Sequence, residues 1–404
     1  MKKNILIISI YYPPIQSIAS NRIYSFAKYL NKDRYKIFVH TLDERKDFHN
    51  DLMDVSISRI KNNTLFKPLT FLKRTNKIVH YSKVCYNMMV KRFTRNSYHA
   101  WINESFKLLK VKIKEENIDL ILSSFSPDAS HLLALKLKKE FPHLRWIADM
   151  RDEMSCSPYI DVVTKAHYAE LEQQIFKYAN ALISVSKPIV DEFQAICQEE
   201  NFLFTEIRNG YDFPLEEKEI SNDALILTYM GNFYGDRNPM NFFKAMSLFM
   251  GKNSDAKLKV QFVGVKTHFE IPSLLTDMIA ILPSVDHVNA VKLMKQSDAL
   301  LLVHPSNGRK GIFTGKLFEY LGALKPIIAL IDEEDVAAKL IMACNAGYVS
   351  DNSNIEKIEE NIALMYDAYI QKKERTFNVE LIEKHHRKEQ VKRLEILIEE
   401  CLNA

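Results

Sequence analysis

Short β-branched apolar runs alternate with longer amphipathic stretches from the first residues onward. Strands are predicted at Ile5 to Ile10, Tyr35 to Thr41, Ile118 to Ser123, Arg145 to Asp149, Ala181 to Val185 and Phe204 to Arg208. Helices at Ser20 to Leu30, Asp128 to Glu140 and Lys165 to Tyr178 lie between them. Such alternation is the pattern of βαβ units and parallel sheets. The second half repeats it, with strands at Ile226 to Met230, Lys259 to Val263, Ala299 to His304, Pro326 to Leu330 and Gly347 to Val349. The chain of 404 residues exceeds the usual size of one core, so two doubly wound domains in tandem fit better than one large sheet. The last segment, Val379 to Leu402, has helical spacing of leucines among Glu, Lys and Arg and reads as one long amphipathic helix on a domain surface.

Composition refines this picture at a few points. All 10 glycines lie at or beyond Gly210. Backbone that approaches phosphate oxygens closely generally needs glycine, so the second domain is the better candidate for a nucleotide; drift in composition is the competing explanation. The limits expected are 1–208 for the first domain, 209–378 for the second, and 379–404 for a helix returning towards the first. A formal net charge of +4 over this length does not imply nucleic acid. Cys85, Cys156, Cys197, Cys344 and Cys401 are scattered without metal-type spacing, which predicts reduced thiols, no disulfide and no zinc. The start, "MKKNILIISIYYPP", runs into Tyr-Tyr-Pro-Pro instead of small residues and reads as a buried strand, not a signal peptide. No apolar stretch approaches the roughly 20 residues that span a bilayer, so contact with a membrane would be made from the surface.

Ligands of doubly wound sheets bind at the carboxyl ends of strands, and four such ends are chemically loaded. In "YYPPIQSIASNR" two prolines stiffen the turn, Ser17, Ser20 and Asn21 supply small polar caps, and Arg22 opens the following helix; exposed N–H groups there suit an anion, though capping alone accounts for the serines. In "WIADMRDE" the strand delivers Asp149, Arg151 and Asp152 within four positions, a set able to orient sugar hydroxyls or balance charge, or to hold a loop as a structural ion pair. In "TYMGNFYGDRNP" a strand closes on Met230, Gly231 bends the chain, and Arg237 precedes a helix start, a sound grip for phosphate. In "GIFTGKLFEYLGALKPIIAL" Thr314 or Gly315 caps a helix whose free N–H groups and Lys316 suit a pyrophosphate, while Glu319 is placed to accept both hydroxyls of a ribose. The competing explanation is a surface Lys-Glu pair contributing about 0.2 to 0.5 kcal/mol, which the flanking Leu317, Phe318 and Leu321 argue against.

From Val55 to Asn103 the chain has no acidic residue, and ten basic residues between Arg59 and Arg95 are interleaved with aromatic and aliphatic ones. Segment 59–95 therefore suits anionic lipid headgroups or a lipid-linked phosphate; nucleic acid, or an ordinary solvated basic face, would use the same composition.

Taken in order, "YYPP" with Arg22, "AWI" at Ala100 to Ile102, "LILSSFSPDASHLLALKLKK", "WIADMRD", "RNGYD", "YMGNFYGDRNP", "SDALLLV" and "TGKLFEYLGALKPIIAL" resemble the glycosyltransferases of family 4, in particular bacterial enzymes of surface-polysaccharide assembly such as lipopolysaccharide or capsule. The resemblance implies an α/β fold of GT-B type, two Rossmann-like doubly wound domains facing a central cleft, the first holding the acceptor and the second the nucleotide. It implies a retaining, metal-independent glycosyltransferase of hexosyltransferase type with no cofactor. The donor would be a nucleotide-sugar, UDP- or GDP-linked, and the acceptor a glycan or lipid-linked molecule. The protein would be cytoplasmic, with peripheral contact at the inner face of the cell membrane through 59–95. By position, Glu319 would bind the ribose, Thr314 and Gly315 the phosphates, and Lys316 and Arg237 would stabilise charge on the departing pyrophosphate beside Gly231 and Asn232. Asp149 falls near where many relatives place a catalytic histidine; Ser17, Arg22, Arg151 and Asp152 would line the acceptor side.

Three departures from the family pattern stand out. Gly311 replaces the first of the family's two glutamates, Asn232 replaces the usual arginine, and Ser17, Ile18 and Ala19 replace the glycine-rich turn. Two other classes keep the same residues in play: an isomerase of the nucleotide-sugar 2-epimerase type, and a non-enzymatic protein binding anionic lipid or nucleic acid.

Overall fold

The structure, a computed structural model, describes residues 2–43, 52–64, 82, 97–216, 222–233, 237–304, 311 and 313–403. Most of the basic segment 59–95 lies outside the described residues. The chain divides into two compact units, Met1–Ile207 with Val391–Ala404, and Arg208–Gln390.

The first unit carries a sheet of seven strands, β1 (Lys3–Ile8), β2 (Tyr35–Leu42), β3 (Val55–Ile60), β4 (Leu120–Ser124), β5 (Arg145–Asp149), β6 (Ala181–Ser184) and β7 (Leu203–Glu206). Their order is β3-β2-β1-β4-β5-β6-β7, and every pairing is parallel, with Ile5 opposite Ile37 on one side and Leu120 on the other. Because side chains alternate along a strand, Leu6 and Ile8 pack into one core with Ile121, Trp146 and Leu182. Ile5 and Ile7 face the opposite core with Ile37, Leu122, Ile147 and Ile183. Both faces are thus covered, which is why these strands read as continuous apolar runs. The second core includes Val391, Leu394, Leu397 and Ile398. The terminal segment is not one helix from Val379: it makes Val379–Glu383 and then Arg387–Asn403, and it joins the first unit only from Val391.

The second unit carries six strands, β8 (Leu225–Met230), β9 (Leu258–Val263), β10 (Ile279–Leu282), β11 (Ala299–Val303), β12 (Ile327–Leu330) and β13 (Gly347–Ser350). They are ordered β10-β9-β8-β11-β12-β13, again all parallel. Leu300, Leu302 and Ile327 pack with Leu317, Phe318 and Leu321 of the Gly315–Gly322 helix. Leu225, Leu227, Tyr229 and Leu301 pack on the other face, with Phe242, Phe243 and Met246 of the Met240–Lys252 helix.

Two strands, β3 and β10, were not predicted. Each is the edge of its sheet, and their half-exposed residues spread apolar and polar side chains too evenly for a buried-strand signal.

Candidate nucleotide site and its surroundings

In the second sheet the strand order reverses between β8 and β11, and ligands of such sheets bind outside the carboxyl ends at that switch point. β8 runs into Gly231, whose N–H is still paired to Val263 O at 2.7 Å and whose φ of +86° belongs to the region that glycine alone visits freely. A β-carbon there would sit 3.1 Å from Lys316 Cε and 3.4 Å from Nζ. The bare backbone therefore makes the space that the lysine fills.

Lys316 is the second residue of the Gly315–Gly322 helix, which Tyr320 fastens to β8 by accepting a bond from the Met230 N–H at 2.9 Å. Its Nζ donates to Tyr229 Oη at 2.8 Å and lies 4.1 Å from that ring's centroid. The tyrosine in turn donates to Asn232 O at 3.2 Å and stacks on Phe233. An ammonium held on an aromatic ring without a carboxylate partner is costly to keep charged. Burial, followed by repulsion from Arg237 and partly offset by Glu319, pushes the Lys316 pKa down to about 7.

β11 runs into His304, which is 4% exposed and whose N–H bonds Leu330 O at 2.9 Å. Burial, then the charges of Arg237 and Lys316, hold its pKa down to about 3. Thr314 sits at the cap position of the Gly315–Gly322 helix without using its hydroxyl as a cap. Among the described residues, Arg237 Nε, His304 Nε2 and Thr314 Oγ1 are buried with no hydrogen-bond partner. Buried polar atoms in native proteins are mostly matched by protein, ordered water or ligand. Two cations, a neutral imidazole, a hydroxyl and the free N–H groups of a helix start form a set suited to a phosphate-bearing anion.

Lys316 and Glu319 do not pair with each other. Glu319 Oε1 lies 3.0 Å from His287 Nε2, and that contact raises the histidine's pKa. Asn232 is turned to the loop after β9, its Oδ1 accepting from the N–H groups of Lys266 at 2.9 Å and Thr267 at 3.1 Å. Gly311 has a φ of +92° and donates to Asp335 Oδ2 at 2.9 Å, so the backbone asks for glycine where the family pattern has glutamate.

The residues expected on the acceptor side fall in the first unit. Ser17 is the N-cap of the Ile18–Tyr29 helix and accepts from Ser20 N at 3.0 Å, as capping alone would have it. Arg22 and Asp149, expected in separate roles, form one buried pair: Nη2 to Oδ1 is 2.9 Å and Nε to Oδ2 is 3.0 Å. Arg22 Nη1 also donates to Ile207 O at 2.8 Å, and Ser124 Oγ donates to Asp149 Oδ2 at 2.9 Å. With side-chain exposures of 2% and 0%, the pair is enclosed, so the Asp149 carboxylate, which the sequence reading placed in catalysis, is held at the end of β5 by Arg22 and Ser124. Arg151 clamps the carbonyls of Phe125 and Ser126, and its burial lowers its pKa. Asp152 is exposed.

Sequence reading missed Tyr229, His287 and His304. His304 ends a strand that the reading did place, so the carboxyl-end rule applied to β11 would have found it. Tyr229 and His287 carry no such signal. Among the described residues no three His, Cys, Asp or Glu side chains are grouped as a metal ion would need.

No protein-family model matches the chain, and no curated protein does. Solved structures do. An alpha,alpha-trehalose-phosphate synthase (UDP-forming) from Burkholderia xenovorans, in complex with glucose-6-phosphate, matches with a TM-score of 0.63 at 10% identity over 100% of both chains. Sucrose-phosphate synthase from Thermosynechococcus elongatus matches at 0.58 and 12% identity, over 97% of this chain and 95% of that one. The lipopolysaccharide outer core galactosyltransferase WaaB matches at 0.56 and 13% identity, over 98% and 99%. Together with the two parallel sheets, these likenesses establish the fold as α/β of the GT-B type with two Rossmann-like units.

Proposed function

We propose that this protein is a glycosyltransferase that moves a sugar from a nucleoside-diphosphate donor, UDP- or GDP-linked, to a glycan or lipid-linked acceptor, retaining the anomeric configuration and using no metal. The reading follows family 4 of these enzymes and a role in bacterial surface-polysaccharide synthesis. The GT-B glycosyltransferases among the structural neighbours support the reaction class, and the motif order supports the finer assignment. The observation that carries it is Lys316, a desolvated lysine with no carboxylate partner among the described residues, set beside Arg237 at a helix start on the switch point of the second sheet.

In the reaction the bond between the anomeric carbon and the phosphate oxygen breaks, and the acceptor oxygen bonds that carbon. The acceptor's proton passes to a phosphate oxygen of the departing nucleotide. As the bond to the anomeric carbon breaks, and before the proton arrives, the diphosphate carries one more negative charge, and Lys316, Arg237 and the helix N–H groups would stabilise it there. Preorganised donors of this kind are worth about 10²- to 10³-fold in rate each. Glu319, steadied by His287, would take the ribose hydroxyls through its second oxygen. Among the described residues no helix is long and apolar enough to cross a membrane, and we place the reaction on the cytoplasmic side, with the acceptor presented at the membrane surface.

The test is transfer from UDP- and GDP-linked sugars to a lipid-linked acceptor by wild type, Lys316→Ala and Arg237→Ala. Each variant should lose about 10²-fold or more in rate while keeping its circular dichroism. Wild-type rates in both, or consumption of the nucleotide sugar at full rate without an acceptor, would overturn the assignment.

A further inference from the structure

His304 has no part in the family pattern quoted above, and its Nε2 meets no hydrogen-bond partner among the described residues. It stands at the end of β11, one residue beyond a fully buried strand, and is itself 4% exposed with Nε2 unmatched. A buried nitrogen left without a partner is expensive, so a group from outside the chain, ordered water or ligand, is expected against it. Its charged neighbours are Arg237 and Lys316, both cations. An imidazolium beside them would add a third positive charge to a dry site, so the ring stays neutral and has an N–H to give.

The diphosphate of a nucleotide sugar carries two negative charges, which Arg237 and Lys316 already match. What remains is a set of phosphate oxygens needing directed donors. A neutral imidazole near these two cations supplies one without overcharging the site.

We propose that His304 donates a hydrogen bond from Nε2 to an oxygen of the bound diphosphate, beside Lys316 and Arg237, and so sets affinity for the diphosphate part of the donor independently of its base. This rests on the nucleotide-diphosphate reading above. His304 is thereby a phosphate-binding residue of the donor site, and Thr314, whose Oγ1 is likewise unmatched, is its neighbour in that task. Its role differs from that of a core histidine such as His40, whose two nitrogens are satisfied by Ser58 Oγ at 2.8 Å and Ser105 Oγ at 2.7 Å.

The experiment compares wild type, His304→Leu and His304→Gln by calorimetry against UDP, GDP and ADP, and against uridine, guanosine and adenosine by displacement. Leucine removes the donor; glutamine keeps an N–H near the place of Nε2. For whichever diphosphate binds wild type best, His304→Leu should weaken binding about tenfold or more, the range of a hydrogen bond to a charged group. The matching nucleoside should be unaffected within about twofold, and His304→Gln should recover most of the loss. Replacing an unmatched polar ring by an apolar one should leave the thermal midpoint at or above that of wild type, which separates lost binding from lost folding. Equal diphosphate affinity in His304→Leu and wild type would overturn the inference, as would a loss shared equally by diphosphate and nucleoside. If no diphosphate binds wild type, the functional reading fails as well, and the two failures are told apart.

Discussion

Donor binding should take up a proton at Lys316. The lysine has a pKa of about 7, because burial and Arg237 oppose its charge and, among the described residues, Tyr229 Oη alone accepts a hydrogen bond from it. A diphosphate in contact would raise that pKa by more than a unit, since an opposite charge at close range favours the charged form. The sign follows: affinity is full below pH 7, where the lysine is already protonated. It falls as pH rises from 7 towards the bound-state pKa, because binding must then recruit the proton. For a free-state pKa of about 7, the dissociation constant scales as one plus ten to the power (pH − 7), about tenfold between pH 6 and pH 8, or about 1.4 kcal/mol. A sugar-linked diphosphate is the right ligand, because a terminal phosphate would titrate near pH 6 and confuse the slope. Isothermal calorimetry at pH 6, 7 and 8, in buffers of different ionisation enthalpy, reads both affinity and proton uptake. Lys316→Arg, whose charge does not titrate, should flatten the profile; His304 is already neutral throughout this range, and any slope remaining in that variant belongs to His287, whose pKa Glu319 raises. A wild-type constant that stays within about twofold from pH 6 to pH 8, with no buffer-dependent heat, would refute the reasoning.

Asp149→Asn should cost about 3 to 5 kcal/mol in denaturant titration, because it leaves the enclosed Arg22 charge without its counterion; a loss below about 1 kcal/mol would mean that Ile207 O and solvent suffice for the guanidinium. Gly322→Ala puts a β-carbon 2.5 Å from Tyr211 Cγ, an overpacking worth about 1 to 3 kcal/mol, and should lower the thermal midpoint while nucleotide affinity is kept; an unchanged midpoint would show that Tyr211 moves aside freely.

Legibility followed the physics of burial. Strands covered on both faces, such as β5 and β12, announce themselves as apolar runs, whereas the edge strands β3 and β10 do not. Local chemistry was read well where a residue acts on its own neighbourhood: Ser17 caps its helix, and Gly231 turns the chain at the end of β8. It was read less well where a partner comes from far along the chain. Asp149 read as one of a local set with Arg151 and Asp152 and is instead matched to Arg22, 127 positions away.

By itself the sequence determined the alternation of strands and helices, the two doubly wound units, and the strand ends at which chemistry gathers, because these depend on periodicity and on turn residues within a few positions. Only the tertiary structure decided which of those ends form a site. Parallel pairing set β8 beside β11 and brought Tyr229, His304 and Lys316 to the carboxyl ends of these central strands, and packing turned Lys316 to Tyr229 and Glu319 to His287 instead of to each other. A side chain's charge, exposure and partners are properties of that packing, and sequence spacing does not contain them.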